Sequence, residues 1–206
     1  MSNINIPLGT GTWIQADHRG AHGGVIIGGP GSGKSALIKH LAKGCRAEVW
    51  HAAPHGIDPL PGAAQVALGS RDCEKLLARA GRLLTSRQSV PVLLILEDPH
   101  WFFQESEAAT ETAWRIARAG RKLGVSLIVT TQTSTVDAFG RSSALREALT
   151  GGNVVQLRTS TLGSLERLGL RGVKIDVDLS RLARPGEGYI KPAGADRFTH
   201  FRFGPA

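Results

Sequence analysis

Gly28-Gly29-Pro30-Gly31-Ser32-Gly33-Lys34-Ser35 frames the reading of the whole chain. It is G-x-x-x-x-G-K-[ST] with every fixed position filled. Its surroundings suit it. Gly24-Val25-Ile26-Ile27 before it is a short apolar run fit for a buried parallel strand, and Leu37, Ile38 and Leu41 after it fall at helix spacing. Strand, glycine loop and helix in this order make a site for a nucleoside triphosphate. Gly31 and Gly33 let the backbone turn tightly and point N–H groups at phosphate oxygens, and the helix adds its positive N-terminal end. Lys34 reaches the β- and γ-phosphates, and the Ser35 hydroxyl ligates Mg²⁺. The expected ligands are ATP and Mg²⁺, bound by Gly28, Gly29, Pro30, Gly31, Ser32, Gly33, Lys34, Ser35 and Ala36.

A second run, Pro91-Val-Leu-Leu-Ile-Leu-Glu97-Asp98, is continuously apolar and ends in two carboxylates. It reads as a strand buried on both faces. Carboxylates at its C-terminal end lie where open α/β sheets place their ligands. By position, Glu97 holds the metal through its water shell and Asp98 orients an attacking water. The plainer reading is an acidic pair opening the Pro99-His100 turn.

A third run, Val125-Ser-Leu-Ile-Val-Thr-Thr-Gln132, ends in polar residues. Gln132 there can touch the γ-phosphate or the attacking water, or simply form the turn. The segment before it, Thr112 to Leu123, has helical periodicity. At 100° per residue, Arg115, Arg118, Arg121 and Lys122 fall within roughly 120° of arc, with Ile116 and Leu123 opposite. This basic stripe serves phosphates, of nucleic acid or of a neighbouring subunit's ATP, or it is a solvated helix face.

Composition agrees with a polyanion partner. The chain of 206 residues carries 25 Lys and Arg against 17 Asp and Glu, a net +8, and 18 of the cations are arginine. Codon choice in a GC-rich genome is the alternative source of that arginine. The length suits one domain. No apolar run approaches the roughly 18 residues of a membrane span, and the N-terminus lacks the form of a secretory signal. Cys45 and Cys73 show no metal or disulfide spacing, which fits a reducing cytoplasm.

The remaining segments alternate between strand and helix, predicting an α/β fold with a mainly parallel sheet flanked by helices. A strand is expected at 47–52, a loop at 54–62, a helix at 71–86, a strand at 153–158, and late strands around 184–190 and 197–203. The seven histidines are scattered and read as structural or surface residues.

In this order, the pieces resemble the motor domain of the FtsK/SpoIIIE–HerA class of P-loop ATPases, of the actinobacterial, conjugative-plasmid or phage type. Ile116-Ala-Arg-Ala-Gly-Arg-Lys-Leu-Gly-Val-Ser-Leu-Ile-Val-Thr-Thr-Gln132 is similar to that class's basic helix, glycine, apolar strand and Thr-Gln end. Ile6-Pro-Leu-Gly and Gly152-Asn-Val-Val-Gln-Leu-Arg-Thr-Ser match in order and spacing. The likeness runs from about residue 6 to 192. It implies a RecA-like fold over the whole chain, a ring homo-oligomer, most simply a hexamer, with ATP at its interfaces, and double-stranded DNA in the channel.

The resemblance also implies an arginine supplied in trans, with Arg118, Arg121, Arg158 and Arg167 as candidates and Arg121 favoured for its place in the signature. Two departures stand out. The class usually has Asp then Glu at the acidic pair, and Thr-Ser-Thr follows Gln132 where the class often has Arg-Pro. The expected function is an ATP-driven DNA translocase. The alternatives are a secretion-type ATPase of the same class moving protein, a nucleotide-gated assembly protein with weak hydrolysis, and a phosphotransferase, against which the Thr-Thr-Gln end argues.

Overall fold

The computed structural model describes residues 4–7, 13–17, 20–56, 58–158, 168, 170, 172–178, 182 and 184–203, with backbone alone up to residue 21. Strands β1 (Ile4–Pro7), β2 (Trp13–Asp17) and β3 (Gly20–Ala21) form a small antiparallel sheet. His22 and Gly23 then lead into β4 (Gly24–Ile27), the strand before the glycine loop.

The main sheet has eight strands. After β4 come β5 (Glu48–Ala53), β6 (Gln65–Leu68), β7 (Val92–Leu96), β8 (Val125–Thr131), β9 (Asn153–Leu157), β10 (Glu187–Lys191) and β11 (Thr199–Arg202), in the order β11-β10-β9-β4-β8-β7-β5-β6. The stretch from β9 to β6 is parallel throughout, while β10 and β11 add an antiparallel hairpin at one side. This is the expected α/β fold with a mainly parallel sheet. Helix α1 (Lys34–Gly44) covers one face; α2 (Ser70–Arg82), α4 (Glu107–Arg115) and α6 (Ser143–Thr150) lie on the other, with the short α3 (His100–Glu105).

The two-residue period of the strands sorts the core into these two layers. Ile26, Leu93 and Ile95 pack with Leu37, Ile38 and Leu41 of α1. Val25, Ile27, Val92, Leu94 and Leu96 turn the other way, toward Leu77, Phe102 and Ala113. Every residue of β7, β8 and β9 is buried, and β7, covered on both faces, shows as an unbroken apolar run, whereas β8 and β9 also bury polar residues such as Ser126 and Gln156.

Two helical expectations change in detail. The helix at 71–86 ends at Arg82 and gives way to one 3₁₀ turn, Leu83–Thr85. The segment 112–123 is not one α-helix. It is the end of α4, a π turn at Ile116–Gly120, and the single turn α5 (Arg121–Leu123). Gly120 is pressed onto the sheet so closely that a Cβ there would lie 2.4 Å from the Val125 carbonyl oxygen. The wider i→i+5 turn departs from the 100° per residue of a regular helix. Arg118, Arg121 and Lys122 still line one cavity, and the Arg118 guanidinium lies over Trp114, 5.3 Å from the ring centre. At the sheet edge, β6 is a further strand that the sequence pattern does not announce, with Val66 exposed.

Candidate nucleotide site

The loop between β4 and α1 turns as its glycines dictate. Gly31 and Gly33 have φ of 67° and 101°, a region that residues with a Cβ rarely enter. The base of the loop is tied to both neighbouring strands: Gly28 N–H donates to the Thr131 carbonyl at 3.0 Å, and Gly29 N–H donates to the Arg158 carbonyl at 2.9 Å. The β10–β11 hairpin braces its far side. Gly186 N–H donates to the Ser32 carbonyl at 3.3 Å, and a Cβ on Gly33 would stand 3.4 Å from the Phe203 ring.

Lys34 folds back over this loop. Its Nζ donates to the Gly28 carbonyl at 2.8 Å and lies 3.8 Å from Asp98 Oδ2. Asp98 has a φ of 41°, unusual for a residue other than glycine. Its N–H donates to both the carbonyl and the hydroxyl oxygen of Thr130, at 3.1 Å each, which holds the carboxylate on the loop side. Glu97 takes a different partner. Its N–H donates to the Ala52 carbonyl at 2.9 Å, and its Oε1 lies 2.7 Å from Nε2 of His51, a buried residue of β5.

Two buried polar atoms here have no partner among the described residues: Ser32 Oγ and Asp98 Oδ1. A buried hydroxyl and a buried carboxylate oxygen left unpaired cost stability, and both lie where a polar ligand can satisfy them. The donor set therefore fits a nucleotide with its divalent metal. Mg²⁺ favours one or two carboxylates, a hydroxyl and phosphate oxygens, and Asp98, Glu97 and the exposed Ser35 supply such oxygens. When bound, that metal neutralises charge on the phosphates.

Of the remaining expected residues, Pro30 lies within the loop and Ala36 in the first turn of α1, and Gln132 is exposed one residue beyond β8. Arg158 lies at the loop's own end of the sheet and Arg167 lies outside the described residues, as do Thr159 and Ser160 of the late signature. Arg121 is at the other end. It precedes β8, whose seven residues run from Val125 to the Thr131 that anchors the loop, a rise of about 20 Å. There Arg118, Arg121 and Lys122 line a cavity of about 780 Å³. Ser126, whose buried Oγ has no partner among the described residues, lines it too.

His51 and the hairpin brace are the parts of the site that sequence patterns missed. The only local signal for His51 is a polar side chain inside the apolar run Val49-Trp-His-Ala-Ala53.

No protein-family model matches this sequence, and no curated protein matches it. Solved structures do. The chain is similar to EssC (ATPases 2 and 3) from Geobacillus thermodenitrificans, with a TM-score of 0.65 and 17% identity over 95% of this chain and 42% of that one. It is similar to the pCW3 conjugation coupling protein TcpA in its monomer form with ATPγS, with a TM-score of 0.66 and 14% identity over 96% of this chain and 65% of that one. It is also similar to the genome-packaging NTPase B204 of Sulfolobus turreted icosahedral virus 2 in complex with AMP, with a TM-score of 0.61 and 15% identity over 89% of this chain and 98% of that one. This chain thus spans less than two thirds of the EssC and TcpA chains and nearly the length of B204. The likeness is one of fold: the chain shares the architecture of these solved ATPase structures.

Proposed function

We propose that this protein is an ATPase motor that moves double-stranded DNA, working as a ring homo-oligomer, most simply a hexamer, with residues 1–206 as one motor unit. The observation that carries the ATPase reading is the meeting of Lys34, Asp98 and the glycine loop, with unpaired Ser32 Oγ and Asp98 Oδ1 beside them. The DNA reading is supported by the net charge of +8 and by likeness in fold to a conjugation coupling protein and a genome-packaging NTPase.

Position along β7 gives the metal to Glu97 and the water to Asp98. The geometry favours exchanging these roles. Asp98 is the carboxylate beside Lys34, and its Oδ1 is unpaired there. Glu97, one methylene longer, is already held through one oxygen by His51. In this proposal Asp98 and Ser35 take the metal side, Glu97 accepts the proton of the attacking water, and Gln132 contacts the γ-phosphate. Arg121 cannot reach the nucleotide of its own subunit from the far end of β8. It is instead the arginine offered from that end to a neighbour's γ-phosphate.

A second reading has an observation of its own. EssC and the type VII secretion ATPase EccC of Thermomonospora curvata share the fold, and one EccC structure is in complex with a signal sequence peptide. A protein-moving ATPase is therefore the alternative cargo assignment. ATPase rate at low salt, with and without duplex DNA, tests the proposal. Stimulation by duplex supports a DNA motor; turnover that ignores DNA favours the protein-moving reading, and absence of turnover removes both.

A further inference from the structure

We propose that His51 is a positioning residue that orients the Glu97 carboxylate for hydrolysis, an inference that rests on the ATPase reading above. His51 is buried in the middle of β5, between Trp50 and Ala52, which belong to the core layer away from α1. Strand alternation therefore sends the imidazole to the α1 side. The parallel pairing of β5 with β7 sets His51 beside Ile95, so Glu97, two residues further on, comes within reach on that face.

The hydrogen bonds then fix the tautomer. Leu60 N–H donates to His51 Nδ1 at 3.1 Å, so Nδ1 carries no proton. The ring proton is on Nε2, which donates to Glu97 Oε1 at 2.7 Å. The imidazole is neutral, and the contact is a hydrogen bond to a carboxylate rather than an ion pair. One oxygen of Glu97 is thereby anchored and its terminal torsion is set. The side chain keeps 25% of its surface exposed at the strand end, and His51 keeps 1%. His51 itself is too buried to touch a substrate. It acts only through Glu97, and the loop carrying Leu60 sets which ring nitrogen faces that carboxylate.

The experiment compares His51→Gln with His51→Asn in the full chain. The Gln amide reaches about as far as Nε2, whereas the Asn amide stops near Nδ1. Both are polar and smaller than imidazole, so reach to Glu97 is the main difference. Steady-state turnover, nucleotide binding by equilibrium dialysis and thermal melting are measured on each.

We expect His51→Asn to lose about 10- to 100-fold in kcat, the usual cost of removing a partner that orients a site residue. We expect His51→Gln to keep most of its kcat, and both variants to bind nucleotide like the unaltered chain. Equal kcat in the two variants, or loss of kcat in step with loss of nucleotide binding, overturns the positioning role. If His51→Asn does not fold, His51→Gln still decides: a folded Gln variant with kcat down 100-fold also overturns it. Absence of turnover in the unaltered chain is a different failure, that of the ATPase reading itself.

Discussion

Lys34 Nζ and Asp98 Oδ2 stand 3.8 Å apart, joining the glycine loop to the end of β7 across the intervening β8. The contact is held on both sides. Lys34 also donates to Gly28, and the Asp98 backbone is pinned to Thr130. On the proposed ATPase reading, a cation and a carboxylate so placed keep each other in position for phosphates and metal.

Lys34→Ala is expected to lower ATP turnover by about 10²–10³-fold, the range seen when a donor to developing charge is removed. The side chain lies over the loop rather than in the core, so far-UV circular dichroism and melting temperature are expected to stay near the parent values. Near-normal hydrolysis by the folded variant refutes the site.

The two carboxylates are expected to separate. Asp98→Asn weakens Mg²⁺-dependent nucleotide binding; Glu97→Gln binds ATP and holds it unhydrolysed. Filter binding with radiolabelled ATP, followed by analysis of the retained nucleotide, reads both. The opposite pattern returns the metal to Glu97 and the water to Asp98, as strand position alone assigns them.

Arg121 is expected to act between subunits. Removing an arginine that stabilises the transferring phosphoryl group costs roughly 10³–10⁵ in rate. Arg121→Ala and Lys34→Ala are each expected to be inactive, and mixing them is expected to restore activity where an intact Lys34 site meets an intact Arg121. Absence of restoration at every ratio, with assembly verified by light scattering, excludes the trans role for Arg121.

Duplex binding is expected to be electrostatic and indifferent to sequence. Each neutralised phosphate releases counterion, so affinity falls steeply between about 50 and 200 mM salt. Fluorescence anisotropy with two unrelated duplexes checks both points, and a flat salt response contradicts the DNA assignment.

Cys73 is expected to resist alkylation in the folded protein. Burial pushes its thiol from an ordinary 9.0 up to about 11, and the S–H donates to the Ala67 carbonyl at 3.4 Å. The reactive thiolate is scarce below that pH. Because the folded state keeps the proton longer than the unfolded chain, this group's contribution to stability falls as pH rises from about 9 toward 11. Labelling with a chromogenic disulfide at pH 8, with and without denaturant, reads the protection. Immediate modification of Cys73 without denaturant contradicts it.

The central strands were legible because burial on both faces writes itself as consecutive apolar residues, as in Val92–Leu96 and, interrupted by Ser126 alone, Val125–Val129. The glycine loop was legible because its chemistry fixes residue types at fixed spacing. His51 was not. Its partner Glu97 is 46 residues away, and only the register of β5 on β7 brings the two together. The π turn at Ile116–Gly120 arises from how closely Gly120 meets Val125, a tertiary demand that a helical repeat conceals. The β10–β11 hairpin looked like an ordinary late pair of strands, and its bracing of Ser32 and Gly33 depends on where it docks. Edge strand β6 has an exposed Val66 and no strong alternation, so little in its sequence marks it.

The backbone at Asp98 also accounts for the order of the acidic pair. At a φ of 41° the chain is in left-handed territory, where Asp and Asn are at home because their short side chains can hydrogen-bond locally, and longer residues such as Glu are disfavoured. A carboxylate at this corner is therefore best borne by aspartate, and the longer acid falls to the position before it. The Glu-Asp order is the spelling that suits this bend in the main chain.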